Sequence, residues 1–134
     1  MNSLRIQRPL AVMMRSVAQA ISPDATVCEA ARRMRVAKVG ALLVKEGAHY
    51  LGIVSEADLV RKVLAESLTP AETLVRAVMS APLITIDIAA SAHDASDAMA
   101  QAGIRHLAVV EGGEVVGLLS VRDLLRYFKN WGPQ

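Results

Sequence analysis

Aromatic side chains are scarce in this sequence, with one Phe, one Trp and two Tyr in 134 residues. Surfaces that stack nucleic-acid bases interleave rings with cations. Here the basic residues are scattered among acidic ones, with a net charge of only +2, so no nucleic-acid partner is expected. Cysteine is scarcer still: Cys28 alone cannot close an internal disulfide, and it reads as a small apolar filler near the start of an Ala-rich helix. No apolar run approaches the about 18 residues that would span a bilayer. The start of the chain carries Arg5, Arg8 and Arg15 but lacks the apolar core and small-residue cleavage site of a secretory signal. The cytoplasm is the expected compartment. His49, His93 and His106 lie in different segments without metal-ligand spacing, so neither a metal site nor a catalytic centre is expected.

What is present is aliphatic. Hydrophobic residues make up 53% of the chain and are mostly Val, Leu, Ile, Ala and Met, enough for an interior and an interface. The length fits one domain, or two joined halves too small to stand apart. Those halves are visible as a repeat. Gly52-Ile-Val-Ser-Glu-Ala-Asp58 matches Gly117-Leu-Leu-Ser-Val-Arg-Asp123 at an offset of 65 residues. The same offset places Gly112 on Gly47, Val109 on Val44, Leu107 on Leu42, Met99 on Met34 and Ser91 on Thr26. Val78-Met79 meets Val12-Met13 one residue further out. Repetition in one register with Gly, Ser and Asp retained defines two copies of one supersecondary unit.

Each copy predicts the same elements. A short β-prone segment (Ser16 to Ile21; Leu83 to Ile88) precedes a helix opened by Thr26-Val-Cys-Glu29 or Ser91-Ala-His-Asp94. A hydroxyl at the N-cap with a carboxylate three residues later satisfies the free N–H groups there. Two strands follow (Ala41 to Val44 and Tyr50 to Val54; Leu107 to Val110 and Val115 to Leu119). They are joined by turns at Glu46-Gly47 and Gly112-Gly113 and read as β-hairpins. A last helix begins after Ser55 or Ser120. Thr69-Pro-Ala-Glu72 predicts a helical connector with Pro at its permissive first turn. The recurring Met residues read as packing, and Trp131 as an anchor for the C-terminal end. The expected class is α/β: tandem β-α-β-β-α repeats whose two small sheets pack face to face about a pseudo-two-fold axis.

The order of elements, the Gly-x-x-Ser-x-x-Asp ending and the phrase Gly103-Ile-Arg-His-Leu-Ala-Val-Val110 together resemble the cystathionine-β-synthase (CBS) domain, whose tandem pairs form a Bateman module. The resemblance runs from about Pro9 to Phe128. It implies an N-terminal arm (1–8), a first repeat (9–66), a helical connector (67–77), a second repeat (78–128) and a C-terminal tail (129–134). No catalytic or DNA-binding domain accompanies the pair in the chain, which implies a stand-alone module. Such pairs bind AMP, ADP, ATP or S-adenosylmethionine between their copies, as a regulatory ligand rather than a required cofactor. Carried over residue by residue, Ser55, Asp58, Ser120 and Asp123 are the ribose and phosphate residues. Arg105 and His106 lie near the cleft, and the backbone around Ala41-Leu42 and Thr85-Ile86 flanks the adenine.

The chemistry of these residues supports both a ligand and a plain structural role. An ionised Asp offers two acceptor oxygens to two ribose hydroxyls, a helix start meets a phosphate, and Arg122 can grip that phosphate bidentately. The first copy has Ala57 at that place, with only Arg61 and Lys62 near, so the two sites are not expected to be equivalent. Ser-x-x-Asp is equally a capping signal. Small-residue stripes on the repeat helices and apolar final helices point to a homodimer. Two functions follow: a non-catalytic adenosine-ligand sensor, or a ligand-free interaction module that regulates a partner enzyme or transporter.

Overall fold

The structure, a computed structural model, describes residues 8–16 and 19–131. The expected arm up to residue 7, residues 17–18 of the first β-prone segment, the tail beyond 131 and the anchoring expected of Trp131 fall outside what it describes. The elements run α1 (Pro9–Met13), β1 (Arg15–Ser16), β2 (Ala20–Ile21), α2 (Val27–Ala37), β3 (Ala41–Glu46), β4 (His49–Ser55) and α3 (Glu56–Leu59), which continues as a π-helical turn over Val60–Leu64. They continue α4 (Val75–Val78), β5 (Thr85–Asp87), α5 (Ala92–Ala102), β6 (His106–Glu111), β7 (Glu114–Ser120) and α6 (Val121–Trp131). The class is the expected mixed α/β, with two small sheets ordered β2-β3-β4 and β1-β7-β6-β5.

Contacts divide the chain into two compact units, the described parts of Ala18–Ile84 and those of Met1–Val17 with Thr85–Gln134. The division crosses the repeat boundaries. α1 and β1 head the first repeat in sequence but pack in the second repeat's unit, while α4 and Ser80 pack with the first.

Local chemistry explains the matched elements. Thr26 caps α2 by accepting from the Glu29 N–H (3.2 Å), and α2 ends at Lys38 in the left-handed region. Ser91 and Asp94 cap α5 reciprocally, and Gly103 at φ 66° ends it, where a residue without Cβ is favoured. In each unit a parallel pair (β2 with β3; β5 with β6) flanks an antiparallel hairpin. The hairpins are irregular at equivalent places, between Val44 and Lys45 and between Val109 and Val110.

The repeat offset also carries the core. Val27, Ala30, Met34, Leu42, Val44 and Val54 form one buried cluster, and Ala92, Ala95, Met99, Leu107, Val109 and Leu119 form its counterpart. Burial of these alternating strand positions and of one helical stripe is the main source of stability.

The connector departs from expectation. No helix starts at Thr69; residues 70–72 form a turn, and α4 begins only at Val75. The carbonyls that a longer helix would use are taken elsewhere. Thr73 O accepts from the Val27 N–H (2.8 Å) and Pro70 O from the Cys28 N–H (3.3 Å), so the connector satisfies the free donors at the start of α2. Val75 and Arg76 in turn donate to Ala25 O and Pro23 O, both at 2.8 Å. Hydrogen bonds from Arg76 to Glu46 and Asp24 raise the pKa of its guanidinium further and tie α4 to the outer surface of its own unit.

Candidate functional site

The two matched segments end their hairpins and open helices as the sequence predicts. In the first, the Ser55 Oγ accepts from the Asp58 N–H (3.2 Å), and Asp58 Oδ2 accepts from the Ser55 N–H (2.9 Å). In the second, the same reciprocal pair joins Ser120 and Asp123, at 3.1 and 2.9 Å. Both carboxylates are buried, Asp58 at 6% and Asp123 at 3% exposure. The capping reading of Ser-x-x-Asp therefore holds in both copies. It leaves one carboxylate oxygen in each, Oδ1, to do something else.

The glycine of the motif has a separate explanation. A Cβ on Gly52 would stand 2.3 Å from the carbonyl oxygen of Ser80, whose backbone bonds both ways with Ile53 (3.0 and 2.8 Å). A Cβ on Gly117 would meet Met14 Sδ at 2.3 Å and Arg15 O at 2.9 Å, because β1 pairs across it. Both glycines admit a neighbouring backbone. Their recurrence reflects a repeated strand crossing and carries no information about a ligand.

The surroundings of the two Oδ1 atoms differ. Asp58 Oδ1 accepts from Ser80 Oγ (2.9 Å) and pairs with Lys62 Nζ (2.9 Å). For Asp123 Oδ1 the described cation is Arg126, at 3.7 Å and largely exposed, beyond hydrogen-bond range. The flanking residues differ as well. His106 stands opposite Ser120 in the β6–β7 register, and Arg105 O accepts from the Val121 N–H at the start of α6 (2.9 Å). Arg105, His106, Ser120, Arg122 and Asp123 thus gather at one corner of one unit, with both arginines exposed and His106 half-buried. At the matching corner, Ala41 stands opposite Ser55, Gly40 O accepts from the Glu56 N–H (2.9 Å), and Ala57 replaces Arg122. No cation flanks that corner in the equivalent places.

Of the remaining candidates, Leu42 lies wholly in the core, and Ala41 is buried beside it. Thr85 and Ile86 lie on β5, paired with Ala108 and Val109 of β6. Thr85 is exposed, and Ile86 packs partly on the core. Ser80 and the role of Lys62 escaped the sequence reading. Only the i,i+4 spacing of Asp58 and Lys62 could have signalled the pair. Among the described residues no group of three or more His, Cys, Asp and Glu could hold a metal ion. Among them, too, no helix is long and apolar enough to cross a membrane.

Comparison with known proteins matches this geometry to a family. The CBS domain profile matches residues 10–65 and again 75–130. The chain is 40% identical over 111 residues (82% of its length) to a CBS domain-containing protein of Arabidopsis thaliana, and 35% identical over 107 residues (78%) to an uncharacterized protein of Methanopyrus kandleri. It spans 21% and 55%, respectively, of those proteins' own lengths. A CBS domain protein from Pyrobaculum aerophilum, solved in complex with AMP, shares its fold with a TM-score of 0.75 and 27% identity, over 88% of this chain and 89% of that one. Two profile matches in the register of the repeat, each containing a buried Asp that caps a helix start, place the chain in the CBS domain family as a tandem pair.

Proposed function

We propose that this chain is a cytoplasmic regulatory module that binds an adenosine-containing ligand at the second repeat's corner and makes or breaks no covalent bond. One observation carries the reading. A buried carboxylate, Asp123, lies at the start of an 11-residue helix flanked by Arg105, His106 and Arg122, whereas the first repeat puts Gly40, Ala41 and Ala57 in the equivalent places. The AMP complex of the related Pyrobaculum protein supports the ligand class.

In this reading Asp123 accepts from the ribose hydroxyls. Ser120, the α6 N–H groups and Arg122 meet the phosphates. Arg105 and His106 border the same corner, and Thr85 and Ile86 on β5 flank the adenine. Calorimetric titration tests it. Arg122→Ala should weaken AMP and ATP about tenfold, the value of one charge-assisted hydrogen-bonded contact, and leave adenosine within about twofold. Equal losses for adenosine and ATP would count against the assignment.

We also propose that a second copy of the chain covers the outer face of the final helices. Val60 and Leu125 occupy equivalent repeat positions and are 56% and 66% exposed, and Leu64 lies one turn beyond Val60. Exposed apolar side chains at matched helical positions fit a self-complementary interface. Light scattering at micromolar concentration should give twice the 14.3 kDa chain mass, and Leu125→Glu should shift it to the single chain. A lone 14.3 kDa species for the unaltered protein would contradict the dimer. The exposed helix face also favours a second reading, an interaction module whose partner is another protein. A dimer that binds no adenosine compound would support that reading.

A further inference from the structure

We infer that the first repeat is closed from within: Lys62 and Ser80 hold the Asp58 carboxylate as a structural anchor, and the chain takes one nucleotide, through Asp123. The inference deepens the nucleotide reading above and rests on it. A carboxylate offers about four lone-pair sites, and those of Asp58 are all addressed from its own unit. Oδ2 accepts from the Ser55 N–H (2.9 Å) and from Ser55 Oγ (3.2 Å). Oδ1 accepts from Ser80 Oγ (2.9 Å) and from Lys62 Nζ (2.9 Å).

The ammonium is equally committed. An ammonium has three donors. Those of Lys62 face Asp58 Oδ1, Val78 O (3.0 Å) and Ser80 Oγ (3.4 Å). A ribose diol arriving at Asp58 would have to displace both partners at once. Ser80 cannot swing away with its backbone, because two hydrogen bonds to Ile53 fix it beside Gly52. The Lys62 side chain also joins the end of α4 to α3, so displacing it would loosen the unit.

Among the described residues the second repeat has no such clasp. At the 65-residue offset Lys62 becomes Tyr127, whose ring packs edge-on against Phe128 (5.6 Å between centroids). In the strand pairing Arg15 of the edge strand β1 takes the place of Ser80, opposite Leu118 as Ser80 is opposite Ile53. The helix after the motif differs too: the stretch carrying Lys62 is π-helical, while α6 is regular throughout. The same motif therefore serves as a clasp in one copy and leaves a ligand-facing carboxylate in the other.

Titration of the full chain with ATP, beside ligand-free thermal unfolding, tests the assignment. The expected result is one ATP per chain, lost at least tenfold in Asp123→Asn and kept within about twofold in Asp58→Asn. Asp58→Asn should lower the melting temperature by about 5 °C, more than Asp123→Asn does. Lys62→Met should lower it as well, and the double variant should lose less than the two single losses together, as coupled partners do. Two equivalent ATP sites, or a tenfold loss of ATP affinity in Asp58→Asn, would overturn the inference. If no adenosine compound binds, the nucleotide reading fails, and the unfolding series still decides the clasp. Equal losses at Asp58 and Asp123, or strict additivity with Lys62, would overturn it.

Discussion

Asp123→Ala should weaken AMP and ATP about tenfold or more and take adenosine down with them. Two ribose hydroxyls lose a charged acceptor, and hydrogen bonds to charged groups are worth roughly 1.5–3 kcal/mol, about one to two decades of affinity. Because the change strikes the ribose, all adenosine compounds should suffer alike, in contrast to the phosphate-selective loss at Arg122. The same carboxylate accepts from the Ser120 N–H, so removing it also costs about 1 kcal/mol of capping. Titration should therefore be done well below the variant's melting transition. Unchanged affinity for a folded Asp123→Ala protein would remove the residue from the site.

The second large effect is on folding. Gly52→Ala should destabilise the protein by about 3 kcal/mol. A Cβ 2.3 Å from the Ser80 carbonyl oxygen forces two backbones apart, and overpacking of that kind costs about 1–3 kcal/mol. The displacement also strains the paired bonds between Ile53 and Ser80, each worth about 1 kcal/mol net. Gly117→Ala should be milder, because the backbone atom in the way there, the Arg15 carbonyl oxygen, stands at 2.9 Å rather than 2.3 Å, and the closer contact is with the Met14 side chain, which can turn aside more readily than a backbone. Chemical denaturation of both variants checks the order. A Gly52→Ala protein as stable as the parent would mean that Ser80 does not cross there.

The repeat made most of the fold legible. Thr26 and Ser91 marked the starts of the paired helices because a capping hydroxyl is a local signal, readable without tertiary context. The strands were legible from their apolar runs and the turns from their glycines, and the constant offset aligned two cores at once. Elements whose shape depends on distant partners were not legible. Thr69-Pro-Ala-Glu72 carries a sound helix-start pattern, yet Val27 and Cys28 take the carbonyls of Thr73 and Pro70, and α4 starts later. Gly52 and Gly117 drew attention as part of a motif, while their need comes from a strand that approaches from elsewhere in the chain.

The site divides along the same line. Ser120, Arg122 and Asp123 are neighbours in sequence; Arg105 and His106 were joined to them by the family resemblance alone, and the hairpin register of the structure is what brings them to the same corner. The loss of equivalence between the copies was half visible, in Ala57 against Arg122. Its other half was hidden. Ser80 lies 22 residues from Asp58, and only the folded backbone brings its hydroxyl to the carboxylate. Lys62 sits at a spacing that on an exposed helix face would signify a weak surface pair. The burial of Asp58 is what turns that spacing into a clasp.

The most direct test of a regulatory, ligand-binding role is a thermal-shift series of the unaltered chain against adenosine, AMP, ADP, ATP and S-adenosylmethionine. A ligand that binds only the folded state stabilises it by about 2.7 kcal/mol at a hundredfold excess over Kd, and so raises the melting temperature as its concentration rises. A concentration-dependent rise is expected with at least one of these compounds, each recovered chemically unchanged. No shift with any of them, or recovery of a converted product, would contradict that role.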